Sequence, residues 1–497
     1  MNKRALTTVA AVIALNAALV GLFSGCRRAS AQKGRTLLGV LPAGWHTVGT
    51  ITSKDGLHVQ QVMVKENGYD KQRVVVDGQP GPEYDGILEG GPVFSQDGGH
   101  FAYAVQKGNK RCAIIDGRPG PDYDGVLEGT LVFSPDGRRF AYAAKTGDKW
   151  SVIVDGQTGS AYDAASDIVF SPDGKRLVYR AENGTANLVV VDGQPGPVYD
   201  GTGSGTIVFS PDSKHVAYAA RKGEKWIEIV DGQPGPEYDA VAAAVFSSDG
   251  KRLAYGAMKG SKWLAVVDGQ PGPEYDAIMQ GTPMFSKDGK RTGYMAQAGA
   301  KQLAVVDGQP GPDYDAIRDL VFSSDGKHVA YMARAGVKLF AVIDGQPGPE
   351  YDRNDLGGPV FSPDGKRLGY LVEHGNKGLV IVDGVPGPEY DAARPPIFSP
   401  DSKHVVYGAW QNNEWLVVLD GQARPETGRS LQTRPVFSAD GKHLVYLVMK
   451  GYKWIAVLDG RSGLEYDDIL TREPVFLPGG SVEYLAMRAD SLFRVSQ

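Results

Sequence analysis

The sequence predicts an all-β chain: a β-propeller of about twelve four-stranded blades. Three observations predict it. A stretch with the consensus VFSPDGKRLAY recurs with its Phe at 94, 133, 170, 209, 246, 285, 322, 361, 398, 437 and 476, at spacings of 39 or 37 residues. A Tyr follows nine residues later in all but the last copy, and an Asp-Gly pair lies nineteen residues after the first Asp, as from Asp249 to Asp268. Beyond the N-terminal apolar run no stretch has the 3.6-residue period of an amphipathic helix. Self-similarity near forty residues, with four short strand patterns in each unit, is the signature of a propeller blade.

The elements follow in chain order. The opening MNKRALTTVAAVIALNAALVGLFSGC reads as an export signal, with Lys3 and Arg4 ahead of an apolar run from Ala5 to Phe23. Leu22–Cys26, LFSGC, resembles the lipobox of bacterial lipoproteins. The resemblance implies a signal peptide over 1–25, a lipid on Cys26 and a linker over 26–34. Cleavage after Ala31 would instead release a secreted soluble protein, and an uncleaved anchor is a third outcome.

Each unit then parses into strands. PVFSPDG is a strand entering a tight Asp-Gly turn and KRLAYGA returns from it. RKGEK turns the chain into a third strand such as WLAVVDG, and QPGPEYD turns it again into a short YDAI strand. Proline cannot donate to a ladder, so Pro271 and Pro273 are expected in the turn. A degenerate first copy at Thr52–Val59, TSKDGLHV, brings the count to twelve units. Rows such as FSSDGKRLAY, with a third strand ending in Asp-Gly, resemble the WD-type repeat and still more the TolB-like repeat of bacterial envelope proteins. The resemblance implies a protein-binding propeller of the cell envelope, in the periplasm or at the outer membrane.

Small residues before the repeated Tyr, such as Ala102, Ala141, Ala254 and Gly293, would let neighbouring sheets approach. The repeated Phe and Tyr are then expected in the core between blades, where deleting a buried Phe ring costs about 3–5 kcal/mol. Twelve units exceed the usual content of one ring. Two tandem six-bladed propellers, 35–276 and 277–497, are the first expectation; an unequal division or one large ring are the alternatives. The last unit ends without a fourth strand, and RTLLGVL (35–41) is available to supply it.

Composition and motifs bound the function. A formal net charge of −5 with pI near 6.0 excludes a basic nucleic-acid footprint. No G-x-S-x-G elbow, H-E-x-x-H or paired-Cys motif occurs, and no D-x-D-x-D-G loop. A non-enzymatic chain without metal or cofactor is expected. Cys112 reads as a small buried hydrophobe. His58, His100, His215, His328, His404 and His443 share a slot with Arg139, Arg176, Arg252, Arg291 and Arg367, which fits a hydrogen-bond donor beside the turn Asp better than a metal ligand. Trp226 and Trp263 share a slot with Trp150, Trp415 and Trp454 and are candidates for stacking on a glycan. The segments after the fourth strand vary, from Glu89, Glu128 and Asp167 early to Arg318, Arg353, Arg394, Arg429 and Arg434 late. They are expected on one variable face, where those arginines would meet another envelope protein. The leading function is a binding scaffold, with a carbohydrate or cell-wall binder second and an enzyme with a funnel site third.

Overall fold

The computed structural model describes residues 34–497 except 66–70, 280, 282, 353–356, 425–427, 429, 432–433 and 472, and every regular element is a strand. The strands form twelve antiparallel sheets. Blades are numbered in chain order, so Thr52 belongs to blade 1, Phe94 to blade 2 and Phe476 to blade 12. In blade 6 the inner strand is two short pieces, Ala240–Val241 and Val245–Phe246, both paired to the second strand Leu253–Lys259. Lys262–Val267 is third and Gln270–Tyr275 outermost.

This order corrects the strand assignment. QPGPEY is an outermost strand rather than a turn. Pro271 sits opposite Val266, and the register slips between Leu264 and Val266, so Gly272 and Pro273 pass as a bulge. An outer edge has no further neighbour requiring the missing N–H, which is why proline is tolerated there. The turn is the Asp-Gly pair alone, with Asp268 at φ 52° and Gly269 at φ 76°. Two consecutive left-handed residues make the tight hairpin that Asp-Gly favours. YDAI likewise belongs to the following blade: Ala277–Ile278 pairs with Gln297 and Ala296.

The core lies between blades. Tyr103, Tyr142, Tyr446 and Tyr484 are at most 2% exposed. The repeated Phe rings are half-buried, apart from the buried Phe170 and Phe398. Truncating most of them will therefore cost less than the full-burial figure.

The sheets close into one ring. Blade 6 passes to blade 7 through the same kind of cluster as elsewhere, Ala265 with Tyr275, Tyr294 and Ala296. Blade 12 packs directly on blade 1: Val59 clusters with Leu485, Met487 and Leu492. Thr471 Oγ1 donates to the Gly56 carbonyl at 2.9 Å, and Arg494 Nη2 to the Leu57 carbonyl at 2.8 Å. The division at 276/277 is thus replaced by the single-ring alternative. The interface between blades 6 and 7 keeps the Tyr-Tyr pairing of its neighbours, whereas blade 12 meets blade 1 through aliphatic side chains. The expected clasp is present: Arg35–Val40 pairs with Ser491–Ser496 as the outermost strand of blade 12. Sheets stacked about 10 Å apart and closing at twelve leave an opening on the order of 25 Å between inner backbones.

Candidate functional site: the inner wall of the ring

Repeated contacts occupy both faces of the ring. On the face carrying the SPDG and Asp-Gly turns, each turn Asp is held by a serine hydroxyl and a backbone N–H. Ser171 Oγ donates to Asp173 at 2.7 Å and Lys175 N–H at 3.1 Å. The hydroxyl, followed by the amide, holds the Asp173 carboxyl down at about 2. The His/Arg slot does what its chemistry suggested. His215 Nδ1 lies 2.6 Å from Asp231, and Arg252 Nε donates to Asp268 at 2.8 Å. The same side chains reach the next blade. Arg252 lies over the Phe285 ring at 5.1 Å and donates to the Lys290 carbonyl at 2.6 Å, while His215 stacks on Phe246. These are links between blades, and the second carboxylate oxygen is already taken, as by Leu253 N–H on Asp268 at 3.1 Å.

The opposite face has its own link. Asp276, in the Tyr-Asp step between blades 6 and 7, accepts Lys262 Nζ from blade 6 at 2.5 Å and Gly299 N–H from blade 7 at 2.6 Å. Asp124, Asp163, Asp239 and Asp315 repeat this arrangement. The lysine hydrogen bond leads the causes that hold Asp239 and Asp315 below the ordinary carboxylate value.

The variable segments lie on neither face. They interrupt the inner strands and so face the central opening. This corrects the expected variable face, because what had been read as a loop after a fourth strand is the middle of the next inner strand. The 39/37 alternation has the same origin. From Asp to Phe the inner segment is long in blade 5 (Asp200–Phe209) and short in blade 6 (Asp239–Phe246). Long segments form a turn, as where Thr206 Oγ1 donates to the Gly203 carbonyl at 2.9 Å. Blades 4 and 8 instead bulge at Asp167 and Asp319, both left-handed at φ 51° and 56°.

Wall charges are partly neutralised. Around blades 2–4, Glu89 and Glu128 are exposed, Glu128 lies 3.6 Å from Arg111, and Asp167 lies 3.4 Å from Arg180. Around blades 8–11, Arg318 pairs with Asp319 at 2.6 Å. Arg394 is half-buried, lies over Trp415 at 4.4 Å and donates to the Leu431 carbonyl at 3.0 Å. Burial, then the nearby Arg434, lowers the Arg394 guanidinium pKa. Arg434 is exposed. Arg353, Arg429 and Cys26 lie outside the described residues. Trp226 and Trp263 are half-buried at the start of third strands, paired with Tyr238 and Tyr275. Cys112 is buried, as expected.

Sequence reasoning missed two features. Glu228 is a buried carboxyl in a third strand, where blades 6, 7 and 8 carry Ala265, Ala304 and Ala341; neither oxygen has a hydrogen-bond partner. Burial pushes its pKa up to about 8. An acid among alanines in one repeated slot was the available signal. The second feature is blade 1, whose inner strand Trp45–Thr52 is continuous and flanked by two depressions of about 540 and 630 Å³.

These ladders make the chain a twelve-bladed β-propeller. No family model and no curated protein matches it. Among solved structures it is similar to a eukaryotic initiation factor, at 14% identity over 66% of this chain and 96% of that one, with a TM-score of 0.35. TolB from Acinetobacter baumannii matches at 15% identity over 50% and 79%, with a TM-score of 0.21. The β-propeller domain of the Trilobed protease from Pyrococcus furiosus matches at 12% over 63% and 97%, with a TM-score of 0.25.

Proposed function

We propose that this protein is a non-catalytic binding scaffold of the bacterial cell envelope, lipid-anchored through Cys26, that receives another protein on the inner wall of its ring. One observation carries the reading. Residues that differ from blade to blade gather on the inner wall, while residues that repeat are spent on links between blades at both faces. A repeated frame with one freely varying surface is how solenoid and propeller scaffolds specialise. The His–Asp pairs support a non-catalytic role, since they recur around the ring as links rather than standing as one dyad in a cleft. The half-burial of Trp226 and Trp263 weighs against the carbohydrate alternative, which needs an exposed ring face.

The test is in-cell photocrosslinking with a reactive residue at Glu89, Glu128, Arg318 or Arg434, against controls at exposed Tyr452 and Val337 on the opposite-face turns. Protein adducts from wall positions and none from the controls support the proposal. Adducts only from the controls overturn it. Fractionation of Cys26→Ser tests the anchor, with loss of membrane partition expected and unchanged partition contradicting it.

A further inference from the structure

Inner strands are sheet edges, and unprotected edges invite pairing with another chain. Most blades here blunt that edge. Blades 2, 7, 9, 10, 11 and 12 place proline just ahead of the repeated Phe, as at Pro92, Pro283 and Pro474. Blades 3 and 5 break the strand at left-handed Gly129 and Gly205, and blades 4 and 8 at left-handed Asp167 and Asp319. Blade 6 loses regular pairing over Ala242–Ala244.

Blade 1 does none of this. Trp45–Thr52 runs as one eight-residue strand, in register with Val59–Lys65 except for a single bulged residue, Val48. No residue in it is left-handed. Among the described residues the backbone of Val48–Thr52 bonds only to the second strand. Five of its eight residues are exposed, Val48 and Ile51 among them. Thr52 also stands where every other blade has Phe, and Gln61 where they have the core Tyr.

The flanking depressions differ in character. On the blade 2 side, Ile51, Val93, Phe94, Leu131 and Phe133 line an apolar hollow of about 540 Å³. On the blade 12 side, Thr50, Ser53, Asp468 and Glu473 line a more polar one of about 630 Å³. Ile51, Thr52 and Lys54 belong to both. Asp468 and Glu473 form no salt bridge among the described residues, and Lys54 is the one cation among the described residues lining the same hollow. An added strand directs alternate side chains to opposite sides. One set would enter the apolar hollow and the other would meet the two carboxylates.

We propose that the inner edge of blade 1 docks an extended segment of another protein as an additional strand. That segment has apolar residues at alternate positions and basic residues between them. Main-chain hydrogen bonds supply affinity and the two hollows supply selectivity, as in other strand-addition complexes. The proposal rests on the scaffold reading above, and it fixes where and in what form the partner binds.

The test uses the full-length chain and a proline-free library of acetylated, amidated octapeptides, read by fluorescence polarisation. Alternating apolar and basic peptides should be selected. N-methylation of the selected peptide should cost at least tenfold at alternate positions and little at those between. Glu473→Lys should weaken that peptide about tenfold or more and favour an acidic counterpart. Ile51→Asp, at an exposed position, should abolish selection with melting unchanged. Binding indifferent to N-methylation at every position, or equal selection by Ile51→Asp, overturns strand addition. No selection at blade 1, with crosslinks still forming elsewhere on the wall, overturns this site and leaves the scaffold standing.

Discussion

Glu228 should make the ring less stable as pH rises, an effect a single substitution will remove. Its carboxyl is 1% exposed between blades 5 and 6, and burial, then Tyr238, then Glu228 raise the pKa of the neighbouring Tyr255 phenol. The folded pKa is about 8 against an ordinary 4.5, so between those values the folded chain holds a proton that the unfolded chain has lost. A raised carboxyl pKa therefore costs nothing below pH 4.5 and progressively more above it. At 1.36 kcal/mol per pH unit the penalty is roughly 3 kcal/mol at pH 7 and roughly 4–5 kcal/mol above pH 8. Glu228→Gln keeps the shape and removes the titration. Glu228→Ala restores the residue of the matched slots in blades 6, 7 and 8. Urea unfolding of parent and variants from pH 5 to 9 isolates the effect, because every other titrating group is shared. Both variants should gain on the parent as pH rises to about 8 and hold that gain above it. Parallel stability curves would show that Glu228 ionises freely when folded, and would refute the reasoning.

Three further outcomes are expected. Arg252→Ala loses the bonds to Asp268 and the Lys290 carbonyl together with the Phe285 contact, and should cost about 1–3 kcal/mol. Arg252→His, the residue of other blades, should cost less in the same melting experiment. Gly39→Val places a side chain against the Gly78 backbone at the clasp, and should lower the melting temperature and speed proteolysis at both chain ends. Arg434→Glu should leave melting almost unchanged, whereas Arg394→Glu should destabilise by about 1–3 kcal/mol, because Arg394 is half-buried on Trp415 and bonded to Leu431.

Much of this architecture was legible in the sequence. The in-register Phe, Tyr and Asp-Gly pairs gave twelve blades, and the unpaired RTLLGVL gave the clasp. The outer strand was misread because proline argues against ladders in general, while only an edge position excuses it. That error moved the variable segments to a face, since a fourth strand at YDAI left them in a loop. The ring count was invisible for a different reason. Closure depends on the small angle between neighbouring sheets, and the repeated residues of blades 2 to 11 carry no mark of where the circle ends. The break in pattern at blade 1 was visible in Thr52 and Gln61, but reading it as a site required the inner strand in three dimensions.

An inner wall contributed by all twelve blades exists only if the blades form one ring, and a spin-label distance tests that most directly. Labels at Leu57→Cys in blade 1 and Lys251→Cys in blade 6, with Cys26 and Cys112 replaced, would be neighbours in a six-bladed ring. In a twelve-membered ring with an opening of about 25 Å they stand five blades apart, a backbone separation of roughly 30 Å. The account predicts that long distance by pulsed electron resonance, with a short one between Leu57→Cys and Ser481→Cys in blade 12. A short distance between Leu57→Cys and Lys251→Cys would contradict it.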